Sequence, residues 1–200
     1  MYTALVGYCT QMATSEATIA ITPKPIGKDE VVAAVLEAAS ELFAEKGPAA
    51  TSIREVAARA GVNHGLLHRH FGSKSQLLAA TLQYLADSGA ALHESGAPAA
   101  QLEAAQELQA RVMVRSVLDG FPIEELQKRF PGMERFLEQV RAGHDDERQA
   151  RLLAAHAMAL QFGWGLMAPT LRVAFGLNNL SDAEIRAAVA DQAAKIVAPQ

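Results

Sequence analysis

Between Asn63 and Lys74 the sequence NHGLLHRHFGSK gathers three histidines, an arginine and a lysine. Read as a helix at about 100° per residue, Leu67 and Phe71 share one side, and Gly65 and Arg69 face nearly the opposite way. His64 and His68 lie to one flank, Leu66 and His70 to the other. The outward surface then offers a guanidinium, imidazoles and, at Gly65, bare backbone. A guanidinium can take guanine O6 and N7 with two parallel hydrogen bonds, and imidazole and ammonium groups can reach phosphate oxygens. Glycine inside a helix costs about 1 kcal/mol relative to alanine, and close approach of another surface is one reason to carry it. The chemistry on offer is recognition of a polyanion. The bland alternative is a solvated helix face that happens to be basic.

Bond-making chemistry has little support. His64 and His68 have the i,i+4 spacing of a metal-binding pair, but HGLLH lacks the glutamate of a zinc-protease motif. The GHDDE run at Gly143 reads as a helix start. No glycine-rich phosphate loop and no Ser-His-Asp context is recognisable, so the chain is read as a non-enzyme with no catalytic residue, no metal and no cofactor.

The residues around this stretch say how it is positioned. Ser52 with Glu55 makes a capping box for one helix, and Gly61 stands where that helix must stop. Asn63 can cap the short helix, Gly72 ends it, and Ser73 with Gln76 caps a third. Two helices joined by so brief a glycine turn form a helix-turn-helix. Thr51 and Lys74, each at a helix start, are placed for phosphate. Upstream, Val32, Val35, Leu36, Ala39, Leu42 and Phe43 form an amphipathic stripe from Asp29 to Lys46, closed by Gly47-Pro48. That face should cover Ile53, Val56, Ala57, Ala60, Leu67 and Phe71, making a three-helix unit of about 45 residues that needs support from outside itself.

The helix opened by Ser73 is expected to run to about Ser88 as a rigid connector. Further helices are expected at Pro98 to Asp119, Ile123 to Phe130, Met133 to Arg141 and Asp145 to Met167, with Pro169 ending or kinking the last. Ser181 and Glu184 cap a final helix. No strand alternation appears, so the fold class is all-α. Residues 1–27, closed by TPKPIG, read as a flexible tail in which Met12 is a second candidate start.

Half the residues are hydrophobic and the formal net charge is −4, which argues against a protein that coats nucleic acid generally. From Thr51 to Ala80, however, four basic residues meet one acid, a local charge of +3. A single cysteine, Cys9, excludes an intrachain disulfide and fits a reducing, cytoplasmic setting. No apolar run approaches the roughly 18 residues of a membrane helix, and no basic residue precedes Lys24 to make a signal peptide.

Residues 29 to 78 resemble the N-terminal DNA-binding domain of the tetracycline-repressor (TetR) family of transcriptional regulators. The resemblance is carried by AAxELFAEKG, TSIREVAARAGV and GLLHRHFGSKSQLL. It implies that Thr51, Ser52, His68 and Lys74 contact phosphates and that Arg54, His64, Gly65, Leu66 and Arg69 face the groove. His68 stands where the family usually has tyrosine, so its phosphate contact would depend on pH. Leu66 stands where a small or hydroxyl residue is common and would suit a thymine methyl. The later region is similar to the family in size, helix count and order. The resemblance there implies a small-molecule effector and a homodimer through the two C-terminal helices.

The expected organisation is a tail at 1–27, a DNA-binding domain at 28–74 and a helical effector-binding and dimerisation domain at 75–200. Interhelical clefts lined by apolar and aromatic groups are the natural effector site. Met113, Val117, Phe121, Phe136, Phe162, Trp164 and Met167 are the candidates, with His156 or Gln161 as polar contact; plain core packing is the alternative for each. The expected partners are a near-palindromic double-stranded operator, a second copy of the chain and a small, largely apolar effector, with no membrane. The competing reading is a helical ligand-binding or scaffolding protein with a vestigial DNA-binding motif.

Overall fold

A computed structural model describes residues 27–199. Cys9, Met12 and all but the last residue of the expected tail lie outside the described residues. The described residues form nine helices and no strand: α1 (Lys28–Ala50), α2 (Ile53–Arg59), α3 (His64–Phe71), α4 (Lys74–Glu94), α5 (Ala99–Leu118), α6 (Ile123–Leu126), α7 (Pro131–Arg141), α8 (Glu147–Ala174) and α9 (Asp182–Ile196). The all-α expectation is met. None of these helices is long and apolar enough to cross a membrane.

The local chemistry of the helix ends explains the boundaries. Ser52, Ser73 and Ser181 each close a capping box with Glu55, Gln76 and Glu184, satisfying two otherwise orphaned amides apiece. Asn63 accepts from the Gly65 amide at 2.8 Å to open α3. Gly61 (φ 66°) and Gly72 (φ 68°) take the left-handed conformation on either side of it. In α1 the regular helix stops at Lys46. Gly47 has φ 83° and ψ 159°, and Pro48–Ala50 forms a separate turn leading to α2.

Three helix ends differ from the sequence expectation by more than two residues. The connector α4 continues past Ser88 to Glu94, and Gly89 and Ala90 line a cleft that α5 and α7 complete. Helix α6 stops at Leu126 instead of Phe130. Gln127 turns into extended backbone and is buried, its amide donating to the Arg129 carbonyl at 2.8 Å. Helix α8 runs through Pro169 to Ala174. Both Pro169 and Gly165, whose carbonyl loses its partner, are exposed, so water can take the freed acceptor.

The main core is continuous from α1 through α6. It joins Val35, Leu42 and Phe43 of α1, Val56 of α2, Leu67 of α3 and Leu77, Leu78 and Leu82 of α4 to Val112 of α5 and Ile123 of α6. The short three-helix unit is therefore supported by α5 as well as α4, which answers its small size. Buried hydroxyls on these helices are satisfied by bonding one turn back: Ser40 to Leu36, Thr81 to Leu77 and Ser116 to Val112. A smaller core of Val140, Ala150 and Ala154, with Phe136 and Leu153 against it, joins α7 to α8. Helix α9 packs along α8, and Arg172 closes that pair by reaching Asp182 and the Leu180 carbonyl.

Candidate nucleic-acid interface

The face offered by α3 follows from one anchor. Leu67 is buried in the main core, and Phe71, one turn on, packs half-buried at its edge. That fixes the helix roll and leaves His64, Gly65, His68, Arg69 and His70 exposed, with Leu66 half-buried at the margin. A Cβ added to Gly65 would meet only the Asn63 Oδ1 cap, at 3.2 Å. The bare backbone is thus open to an approaching surface.

Helix α2 adds Arg54 and Ser52, both exposed. Ser52 Oγ accepts from the Glu55 amide at 3.2 Å, which leaves its hydroxyl hydrogen to donate outward. The acid of this region does not compete for the same partners. Glu55 is tied to Lys46 and to the Ser52 amide, the latter at 2.8 Å. The Lys46 hydrogen bond, followed by those from Ser52, lowers the Glu55 carboxyl to about 2.

The basic island is smaller than its sequence count. Arg59 turns back onto α1, pairing with Glu41 at 2.9 Å and Glu45 at 3.3 Å. These carboxylates, Glu45 first, push the guanidinium above its ordinary range. Arg54 and Arg69 make no ion pair among the described residues, so their guanidiniums remain available to a ligand.

Two of the expected phosphate residues also hold partners inside the protein. Thr51 is 2% exposed, and its hydroxyl donates to the Gly47 carbonyl at 2.8 Å. The side chain stitches the turn instead of facing outward, because a buried hydroxyl must bond inside the protein. Lys74 is half-buried, and its Nζ donates to the carbonyls of Pro48 at 2.8 Å and Ala49 at 3.1 Å. One N–H of its ammonium remains for an outside acceptor. Asp119, to which the sequence expectation gives no role in the site, accepts the Ala49 amide on its Oδ2 at 2.7 Å. A signal for it existed: an acid at a helix C-terminus opposes the dipole of its own helix.

The nine residues selected for an effector site are spread over the structure. Met113 and Phe121 lie at the edge of the main core, and Phe136 belongs to the smaller one. Phe162 and Trp164 are half-buried on α8, while Val117, His156, Gln161 and Met167 are exposed. A cleft of about 40 Å³ among α4, α5 and α7 is lined by other residues, including His93, Gln106, Gln109 and Arg135. Among the described residues no group of three or more His, Cys, Asp or Glu side chains could hold a metal ion.

Comparison with known proteins bears on this arrangement. Residues 35–81, which span α2 and α3 with parts of α1 and α4, match the family model described as bacterial regulatory proteins, tetR family. Over 175 residues the chain is 51% identical to an HTH-type transcriptional repressor of Mycobacterium tuberculosis, covering 88% of this chain and 93% of the relative. An HTH-type transcriptional regulator of Mycobacterium bovis gives the same figures: 51% identity, 88% of this chain and 93% of the relative. An HTH-type transcriptional activator of Mycolicibacterium smegmatis is 43% identical over 61 residues, or 30% of this chain and 28% of its own.

Proposed function

Because the chain belongs to the tetR family of bacterial regulatory proteins and is a DNA-binding transcriptional regulator, we propose that it represses transcription as a homodimer on a near-palindromic operator and is released by a small effector. The observation that carries this is the face of α3, where Leu67 is buried and His64, Gly65, His68 and Arg69 are presented outward on a capped, glycine-bounded helix. Arg54, His64, Gly65, Leu66 and Arg69 face the major groove in this reading. Ser52 and His68 meet phosphates, with the remaining N–H of Lys74 beside them. Two copies of α3 about 34–36 Å apart would enter successive grooves. The sign of control is taken from the Mycobacterium tuberculosis relative, which is named a repressor.

The second copy docks on α8 and α9. Leu152, Leu166 and Val173 of α8 are exposed, and at 100° per residue they fall within about 60° of one another. An exposed apolar stripe of this kind marks an interaction surface. The effector occupies the region of α4 to α8, where the partly buried side chains of Met113, Phe121 and Phe136 supply apolar surface. It releases DNA only if it binds the two dimer geometries with different affinity.

Selection of bound sequences from a random duplex library by the purified protein tests this reading. An enriched near-palindrome, bound with a steep dependence on salt, is the expected outcome. No retention at low salt favours the ligand-binding or scaffolding alternative, in which the exposed basic face has no duplex to read.

A further inference from the structure

The turn from Gly47 to Thr51 sets where α2 begins, and three elements grip it. Within the turn, Thr51 Oγ1 donates to the Gly47 carbonyl. From the start of α4, Lys74 donates to the carbonyls of Pro48 and Ala49. From the end of α5, Asp119 Oδ2 accepts the Ala49 N–H at 2.7 Å, across 70 residues of sequence. The first two grips belong to the reading unit. The third comes from a helix outside it.

Asp119 does little for its own helix. The end of α5 is closed by backbone alone, with Gly120 at φ 80° and the amides of Gly120 and Phe121 donating to Val117 and Ser116. A carboxylate at that end faces the negative pole of the α5 dipole. Its approach to the turn is close: a Cβ on Gly47 would stand 2.5 Å from Asp119 Oδ2. Helix α5 is held in place against α1 by the fully buried Val112, so the carboxylate moves with α5.

We propose that Asp119 is a positioning residue for DNA binding. By holding the Ala49 amide it fixes the turn, the Ser52 cap and hence the pose of α2 and α3, and it makes α5 a direct mechanical input to the reading head beside α4. A displacement of α5 by about 1 Å would stretch the 2.7 Å contact past hydrogen-bonding range. The inference rests on the DNA-binding reading above. Its rival is simple electrostatics, in which an exposed carboxylate near the operator repels phosphate; the two predict opposite signs.

The test uses the full chain and the duplex selected by the parent protein. Asp119→Ala should bind about tenfold more weakly, the usual scale for losing a hydrogen bond to a charged acceptor. Asp119→Asn keeps an acceptor oxygen and should recover most of that loss. Amide exchange at Ala49 should quicken in Asp119→Ala and much less in Asp119→Asn, which also reads the contact directly if the alanine variant folds poorly. Parent-like or tighter binding by both variants overturns the proposal, as does unchanged exchange at Ala49 in Asp119→Ala. Failure of the parent to select any duplex overturns the DNA-binding reading and this inference with it, whereas binding by the parent and insensitivity at position 119 reject the inference alone.

Discussion

The ammonium of Lys46 closes on the carboxylate of Glu55, joining the last regular turn of α1 to the first turn of α2. The same carboxylate accepts the Ser52 amide. One acid therefore serves as capping partner and as the tie between two helices.

That double use has a pH signature. The folded-state pKa of Glu55 is about 2 against an ordinary 4.5, so its stabilisation is complete above about pH 4.5 and disappears as pH falls towards 2. Glu55→Gln should be less stable than the parent at pH 7, with the gap closing in acid. Chemical denaturation at pH 7 and at pH 3 checks it; a gap that is constant with pH contradicts the assignment. Lys46→Ala should raise the Glu55 pKa, readable by NMR titration.

The three arginines of the reading unit should separate into two behaviours. Arg54→Ala and Arg69→Ala should each cost about 1–3 kcal/mol of operator binding if the side chain reads a base. Arg59→Ala should leave operator affinity nearly unchanged, since its guanidinium is engaged by Glu41 and Glu45 and exposed pairs contribute about 0–1 kcal/mol to stability. Quantitative binding titrations on the selected duplex decide it. Equal losses for all three would place the groove face elsewhere.

A charge placed on the α8 stripe should separate the copies. Leu166→Glu and Val173→Glu alter side chains that are 46% and 71% exposed, so the fold of each chain should survive. Sedimentation velocity should show loss of the dimer, and operator affinity should fall steeply as the two-site attachment is lost. A dimer that persists in both variants moves the interface off this stripe.

What was legible in the sequence was the chemistry that acts over three or four residues. The Ser52, Asn63, Ser73 and Ser181 caps and the left-handed glycines at 61 and 72 could be read because each partner lies within one turn of its mate. The buried side of α3 could be read from the spacing of Leu67 and Phe71. Contacts made across the fold could not. Thr51 and Lys74 have the composition of phosphate ligands, yet their partners at Gly47, Pro48 and Ala49 become visible only when the turn is built. The length of α6 depends on where the Gln127 side chain finds a carbonyl, and the survival of α8 past Pro169 on which side of the helix is exposed. The effector residues are the least legible of these, because a cleft depends on the angles between helices and no local pattern encodes those.

The continuous core limits how this regulator can be recombined. Val112 and Ile123 close the same apolar cluster as Val35, Val56 and Leu67, so a chimera joined after Lys74 would strip one wall from its own reading head. Exchange of specificity with a relative would therefore have to carry α5 and α6 along with the first four helices. The inheritable unit is larger than the DNA-reading motif, and a graft that respects it would bring its own Asp119 with it.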